Sequence, residues 1–103
     1  MAIQVSSELL EGAILAFIAS EDLYGYALTK KIQTVLDVSE STVYPVLRRL
    51  TKDDYLKTYD EPFQGRNRRY YQITETGKLR LAIIQTEWKD YRGKIDGVLR
   101  NHD

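Results

Sequence analysis

The chain has 103 residues, a formal net charge of zero and no cysteine, with 43% hydrophobic and 29% charged residues. Its length bounds it to one domain with a modest core, and its composition excludes a disordered chain. Without cysteine there is neither a disulfide framework nor a thiolate metal site, and no apolar run approaches the ~18 residues of a membrane span.

The opening residues carry acids and lack a basic segment, so they do not read as a signal peptide. A cytoplasmic protein with no membrane partner is expected. Charge is unevenly placed. Residues 1–40 hold two lysines against six acids, a net of −4, while residues 41–80 hold nine Lys/Arg against five acids, a net of +4. Such a local field, rather than overall charge, is what attracts a polyanion.

A first helix is predicted from a Ser6 or Ser7 cap to about Ala19. Leu10, Ile14, Phe17 and Ile18 form one apolar stripe, and Leu9, Ala13 and Ala16 a second, which suggests a partner on the second face. The Leu23-Tyr24-Gly25-Tyr26 stretch leads into a second helix ending near Leu36, with Leu28, Ile32, Val35 and Leu36 inward. Ser39 then suits an N-cap, its hydroxyl accepting from the Thr42 N–H.

The third helix, Ser39 to Lys52, has two unlike faces. Val43, Val46, Leu47 and Leu50 need a core. Ser41, Tyr44, Pro45, Arg48 and Lys52 lie roughly opposite and offer hydroxyls, a ring and cations, which suits phosphates and base edges in a groove. The alternative is an ordinary amphipathic helix with a solvated face. Pro45 removes a backbone donor, so a local bend is expected there.

After Asp53-Asp54 the period changes. Tyr55–Tyr59 reads as a strand, Asp60–Asn67 as a loop and Arg68–Ile73 as a second strand. The result is a β-hairpin with a basic tip, Gly65-Arg66-Asn67-Arg68-Arg69. Glycine lets backbone approach a phosphate and arginine forks onto it. Cations guarding a sheet edge against aggregation would look the same.

Thr74 caps a last helix from about Glu75 to Leu99. Leu81, Ile84, Trp88, Tyr91, Ile95 and Val98 recur at 3, 4, 3, 4, 3, the spacing of a coiled-coil seam. These six residues are the expected interface of a homodimer, and the alternative is a seam that packs within its own chain. Trp88 and Tyr91 supply flat amphipathic surface for a planar ligand, or simply fill the core.

Three helices, a hairpin and a long terminal helix make a mainly α, α+β fold: a winged helix-turn-helix over residues 1–74 and a dimerisation helix over 75–103, packing with the first helix of the partner. The residues themselves resemble the PadR family of bacterial transcription regulators over residues 8–100. Tyr24-Gly25-Tyr26 is similar to the family's YGY. Ser41 to Leu50, STVYPVLRRL, resembles its recognition-helix motif T-x-YP-x-L-x-RL. Gly65-Arg66-x-Arg68-Arg69-Tyr70-Tyr71 resembles its wing motif G-x-x-RKYY, and Ile73-Thr74-x-x-Gly77 its entry to the last helix. The chain departs from the family at Asp54, where a glycine is usual, and ends at Asp103, which makes it similar to the short subfamily.

The resemblance implies a homodimeric repressor on a palindromic double-stranded DNA operator. Ser39, Ser41, Thr42 and Tyr44 would read phosphates and base edges in the major groove, and Arg48 and Lys52 would neutralise phosphate. Gly65, Arg66 and Arg68 of the wing would touch the backbone or a minor groove. Trp88, eleven residues after Gly77, matches the position where multidrug-binding members of the short subfamily sandwich flat ligands. With Tyr91 and Arg92 it forms a candidate site for a planar aromatic effector. Arg92 stands where those members carry an acid, which favours neutral or anionic ligands. A winged-helix module that binds protein rather than DNA is the other reading. No cofactor or metal is expected, nor an enzyme: the single histidine, His102, falls at the chain end without an activating partner.

Overall fold

The computed structural model describes residues 3–100; His102 lies outside the described residues. Helix α1 (Ser7–Ser20) starts at Ser6, whose Oγ accepts from Leu9 N at 3.1 Å. A two-residue strand, β1 (Leu23–Tyr24), passes directly into α2 (Gly25–Gln33). Then follow α3 (Glu40–Lys52), strands β2 (Leu56–Phe63) and β3 (Arg66–Ile73), and α4 (Glu75–Arg100). The fold is mainly helical, with a small antiparallel sheet in the order β1-β3-β2 and a long C-terminal helix.

The core lies where the first three helices meet the inner face of the sheet. Leu10, Ile14, Leu15 and Ile18 of α1 join Leu28, Ile32, Val43, Leu47, Leu50 and Leu56 there. The expected inner face of α3 is confirmed: Val43, Val46, Leu47 and Leu50 are all buried, and the helix runs unbroken through Pro45. Val35 is a correction. Helix α2 ends at Gln33, and a turn closed by Leu36 N donating to Ile32 O at 2.8 Å turns Val35 outward, leaving it 66% exposed.

The sheet also differs from expectation. The third strand, β1, is two residues long and carries no readable period; Leu23 pairs with Tyr71 and Tyr24 with Tyr70. The expected loop at 60–67 is mostly strand. Phe63 pairs with Arg66 and Pro62 with Asn67, which leaves only Gln64 and Gly65 to turn the chain. Both have positive φ, +50° and +79°, the geometry of a tight I′-type hairpin turn. Pro62 is tolerated because β2 is an edge strand.

Helix α3 ends in a Schellman motif. Tyr55 N donates to Leu50 O at 2.9 Å and Asp54 N to Thr51 O at 3.1 Å. Asp54, where the resemblance implies a glycine, takes φ +64°. Its carbonyl accepts from the hydroxyls of Thr74 (2.6 Å) and Thr76 (2.8 Å), which docks the start of α4 against the end of α3. Thr74 caps α4 as expected, accepting from Gly77 N at 3.0 Å.

The seam of α4 is divided. Ile84 is 4% exposed and Leu81 packs on the same core, against α1. Ile84 is therefore spent on the interior of its own chain, and half-buried Leu81 in part. Trp88, Tyr91, Ile95 and Val98 lie beyond the reach of α1 and remain exposed. At ~1.5 Å per residue, the 26 residues of α4 extend about 39 Å.

Candidate nucleic-acid interface

The N-terminal end of α3 gathers three hydroxyls. Ser39 Oγ lies 2.8 Å from Ser41 Oγ and 3.1 Å from Thr42 Oγ1, all exposed. The expected side-chain cap is absent. Thr42 N and Val43 N donate instead to the Ser39 carbonyl at 3.1 and 3.2 Å, so the Ser39 hydroxyl turns to its neighbours. Because these hydroxyls both donate and accept, the cluster can meet a phosphate oxygen or a base edge. The positive end of the helix dipole favours an anion here, opposed by Glu40 in the first turn.

Tyr44 is half-buried rather than free. Its ring rests on the start of α2, where a Cβ on Gly25 would come within 2.9 Å of Cε1. The adjoining Tyr24-Gly25-Tyr26 stretch and the α3 tyrosine are thus one packing unit. Arg48 and Lys52 are exposed, with no ion-pair partner among the described residues. Arg49, between them in sequence, points the other way and donates through Nη2 to Glu11 Oε2 at 3.1 Å.

On the wing, Gly65 occupies the turn, with open space around it. Its neighbour Arg66 is exposed and has no ion-pair partner among the described residues. Arg69 lies 3.5 Å from Asp60. Arg68 is half-buried, its guanidinium 3.9 Å from the Tyr24 ring centroid and 3.6 Å from that of Phe63. The outer face of the sheet is an aromatic row: Tyr59 stacks on Tyr70, and Tyr24 meets Tyr70 edge-on, each at 5.6 Å. Tyr59 Oη donates to Asp22 Oδ2 at 2.6 Å, which pushes the Tyr59 phenol up to about 12.

A cavity of about 910 Å³ separates residues 3–6 and α1 from the exposed half of α4. It is lined by Trp88, Tyr91, Arg92 and Ile95 together with Leu9 and Leu36. The three candidate effector residues therefore face one space, with the Trp88 and Tyr91 rings 6.5 Å apart. Five acids, Glu8, Asp37, Glu87, Asp90 and Asp96, line it against the single Arg92. Among the described residues no group of acids and histidine is set to hold a metal, and no helix is long and apolar enough to cross a membrane.

Glu11 was not singled out from sequence. Its carboxylate is buried and takes Arg80 Nε on Oε1 at 2.6 Å and Arg49 Nη2 on Oε2 at 3.1 Å. That hydrogen bond holds the Arg80 guanidinium above its ordinary value. The available signal was spacing. Glu11, Leu15 and Ile18 lie 4 and 3 apart on one face of α1, so the acid sits on a core stripe.

The winged-helix arrangement and these exposed groups can be set beside known proteins. The model of the PadR-like family of transcriptional regulators matches residues 14–83. The chain belongs to the PadR-like family. Its members are transcriptional regulators. A crystal structure from Streptococcus mutans is similar at a TM-score of 0.90 and 39% identity, covering 100% of this chain and 97% of that one. A PadR-like transcriptional regulator from Bacillus cereus matches at 0.79 and 31%, over 91% of this chain and 94% of that one. An uncharacterized protein of Lysinibacillus sphaericus is 33% identical over 84% of each chain.

Proposed function

We propose that this PadR-like regulator is a cytoplasmic, homodimeric repressor of the short subfamily that binds a palindromic operator. In this reading residues 1–74 form the DNA-binding unit. Residues 75–103 form the dimerisation helix, which also lies against α1 of a second copy. Helix α3 enters the major groove, Ser39, Ser41, Thr42 and the outward edge of Tyr44 meet phosphates and bases, and Arg48 and Lys52 neutralise phosphate. Gly65 and Arg66 of the wing touch the flanking backbone, with Arg68 behind them. The observation that carries this is the set of exposed cations without an ion-pair partner among the described residues: Arg48 and Lys52 on α3, the helix that bears the hydroxyl cluster, and Arg66 beside the wing turn.

Two-fold symmetry places half-sites about one helical turn, ~34 Å, apart. Selection of bound DNA from a random pool tests the reading. A recovered palindrome is expected, bound with affinity that falls roughly 10³-fold or more between 50 and 200 mM salt. An unenriched pool, or binding indifferent to salt, would refute it and favour a protein-binding module.

The α4 groove supports a planar aromatic effector held against Trp88 and Tyr91, with the opposite charge preference to that expected from Arg92. Glu8, Asp90 and Asp96 have arginine or lysine partners at 3.2–3.6 Å, but Asp37 and Glu87 have no ion-pair partner among the described residues. The surplus of acid favours a cation. Trp88 is the sole tryptophan, so its emission should respond to planar cationic dyes and not to anionic ones of similar shape.

A further inference from the structure

We propose that Glu11 is a positioning residue that ties α3 to α4, so that the pose of the C-terminal helix sets the pose of the DNA-reading helix. The proposal rests on the DNA-binding reading above and adds a route by which the far helix acts on it.

The geometry is that of a shared buried carboxylate. Glu11 is 7% exposed, yet each of its oxygens has a different arginine: Arg80 of α4 on Oε1 at 2.6 Å and Arg49 of α3 on Oε2 at 3.1 Å. Arg80 Nη2 also reaches Glu8 Oε2 at 3.6 Å. A buried charge is stable only while its partners stay in place, and removing one leaves it uncompensated. Neither arginine can therefore drift without disturbing the anion that holds the other.

Helix α1 is a stiff mount for this link. Next to Glu11, Gly12 lets α4 come so close that an added Cβ would lie 2.6 Å from Ile84 Cγ2. Arg80 and Ile84 are one turn apart on α4, and Trp88 is one turn further, at the groove. A ligand or second copy that tilts α4 at Trp88 thus pulls on Arg80. On the other side, Arg49 sits directly beside Arg48 and follows the Tyr44 turn of α3. A change at Arg49 rotates or releases the face that carries Arg48 and Lys52. Coupling of two sites through one two-ended contact is reciprocal: whatever α4 does to α3, DNA on α3 does to α4.

The test uses the whole protein and two variants, Glu11→Gln and Arg80→Gln. The first removes the buried charge and leaves two arginines whose side chains are 45% and 25% exposed; the second keeps the carboxylate on Arg49 alone, so circular dichroism first checks that each variant is folded. Amide hydrogen exchange is measured without DNA, and affinity for the selected operator by fluorescence anisotropy. Both variants are expected to speed exchange at residues 46–52 of α3 and to weaken operator binding about tenfold. Combining them should add little, as for two members of one network. DNA should shift Trp88 emission in the original protein and not in Arg80→Gln. Arg80→Lys, which keeps one charged contact, should recover part of the affinity. A folded Arg80→Gln protein with unchanged α3 exchange, or with unchanged affinity and Trp88 response, overturns the proposal. If the original protein binds no DNA while Arg80→Gln still loosens α3, the link stands and the DNA-binding reading fails.

Discussion

Tyr59 donates its hydroxyl to Asp22 Oδ2 at 2.6 Å, fastening the outer strand of the wing to the turn that follows α1. Gln72 Nε2 reaches the same oxygen at 3.3 Å. The bond needs a protonated phenol beside a carboxylate, so the Tyr59 pKa rises from 10.0 to about 12. A raised folded-state pKa means that its stabilisation is complete below the unfolded value and is lost as pH climbs through the folded one. The melting temperature should therefore fall between pH 10 and 12 more steeply in the original protein than in Tyr59→Phe. Parallel curves for the two would show that this hydroxyl does not fasten the wing.

Asp54 holds a left-handed conformation, φ +64°, at the end of α3. For a residue with a Cβ that conformation costs about 1–2 kcal/mol, somewhat less for Asp, and glycine relieves it at the expense of a freer unfolded chain. Asp54→Gly should stabilise by about 0.5–1 kcal/mol in a denaturant titration. The backbone carbonyl that Thr74 and Thr76 use is unchanged, so α4 should stay docked. A loss of stability would mean that the Asp54 side chain contributes something its backbone does not.

Arg66 and Arg68 stand two residues apart on the wing but in different surroundings. Arg66→Ala removes an exposed cation that has no ion-pair partner among the described residues; thermal stability should not move, and the slope of log affinity against log salt should drop by about 1. Arg68 lies over the rings of Tyr24 and Phe63. Its replacement by Ala should cost about 1–2 kcal/mol of stability as well as affinity. Equal effects of the two substitutions on the melting curve would show that the stacked guanidinium does not hold the wing.

What was legible in the sequence follows from which signals are local. The stripe of Val43, Val46, Leu47 and Leu50 is a 3.6-residue period on one helix, and all four are buried. The strand Leu23–Tyr24 is too short to show any period, and its existence depends on β3, far along the chain. Asp60, Glu61 and Pro62 look like a loop by composition. They are strand because Asp60 pairs with Arg69, Glu61 faces Arg68, and the edge of the sheet tolerates a proline. The same limit applies at the site. The basic wing and the hydroxyls of α3 are contiguous in sequence and were visible there. The Glu11–Arg49–Arg80 cluster joins three helices, and only packing brings it together.

The division of the α4 seam gives the last prediction. Ile84 is buried against α1, so Ile84→Ala should cost about 2–5 kcal/mol by emptying part of the core. That loss should be independent of protein concentration, because it lies within one chain. Trp88, 40% exposed, and Val98, 69% exposed, face outward on the same helix. Such a run of exposed apolar side chains marks an interaction surface, and in the proposed dimer a second copy covers it. Val98→Asp should leave the fold intact by circular dichroism and shift the molecule from dimer to monomer in sedimentation, with operator affinity falling as the two half-sites are bound separately. A Val98→Asp protein that remains dimeric would move the interface off this stripe. An Ile84→Ala protein whose stability loss grows on dilution would return Ile84 to the dimer seam.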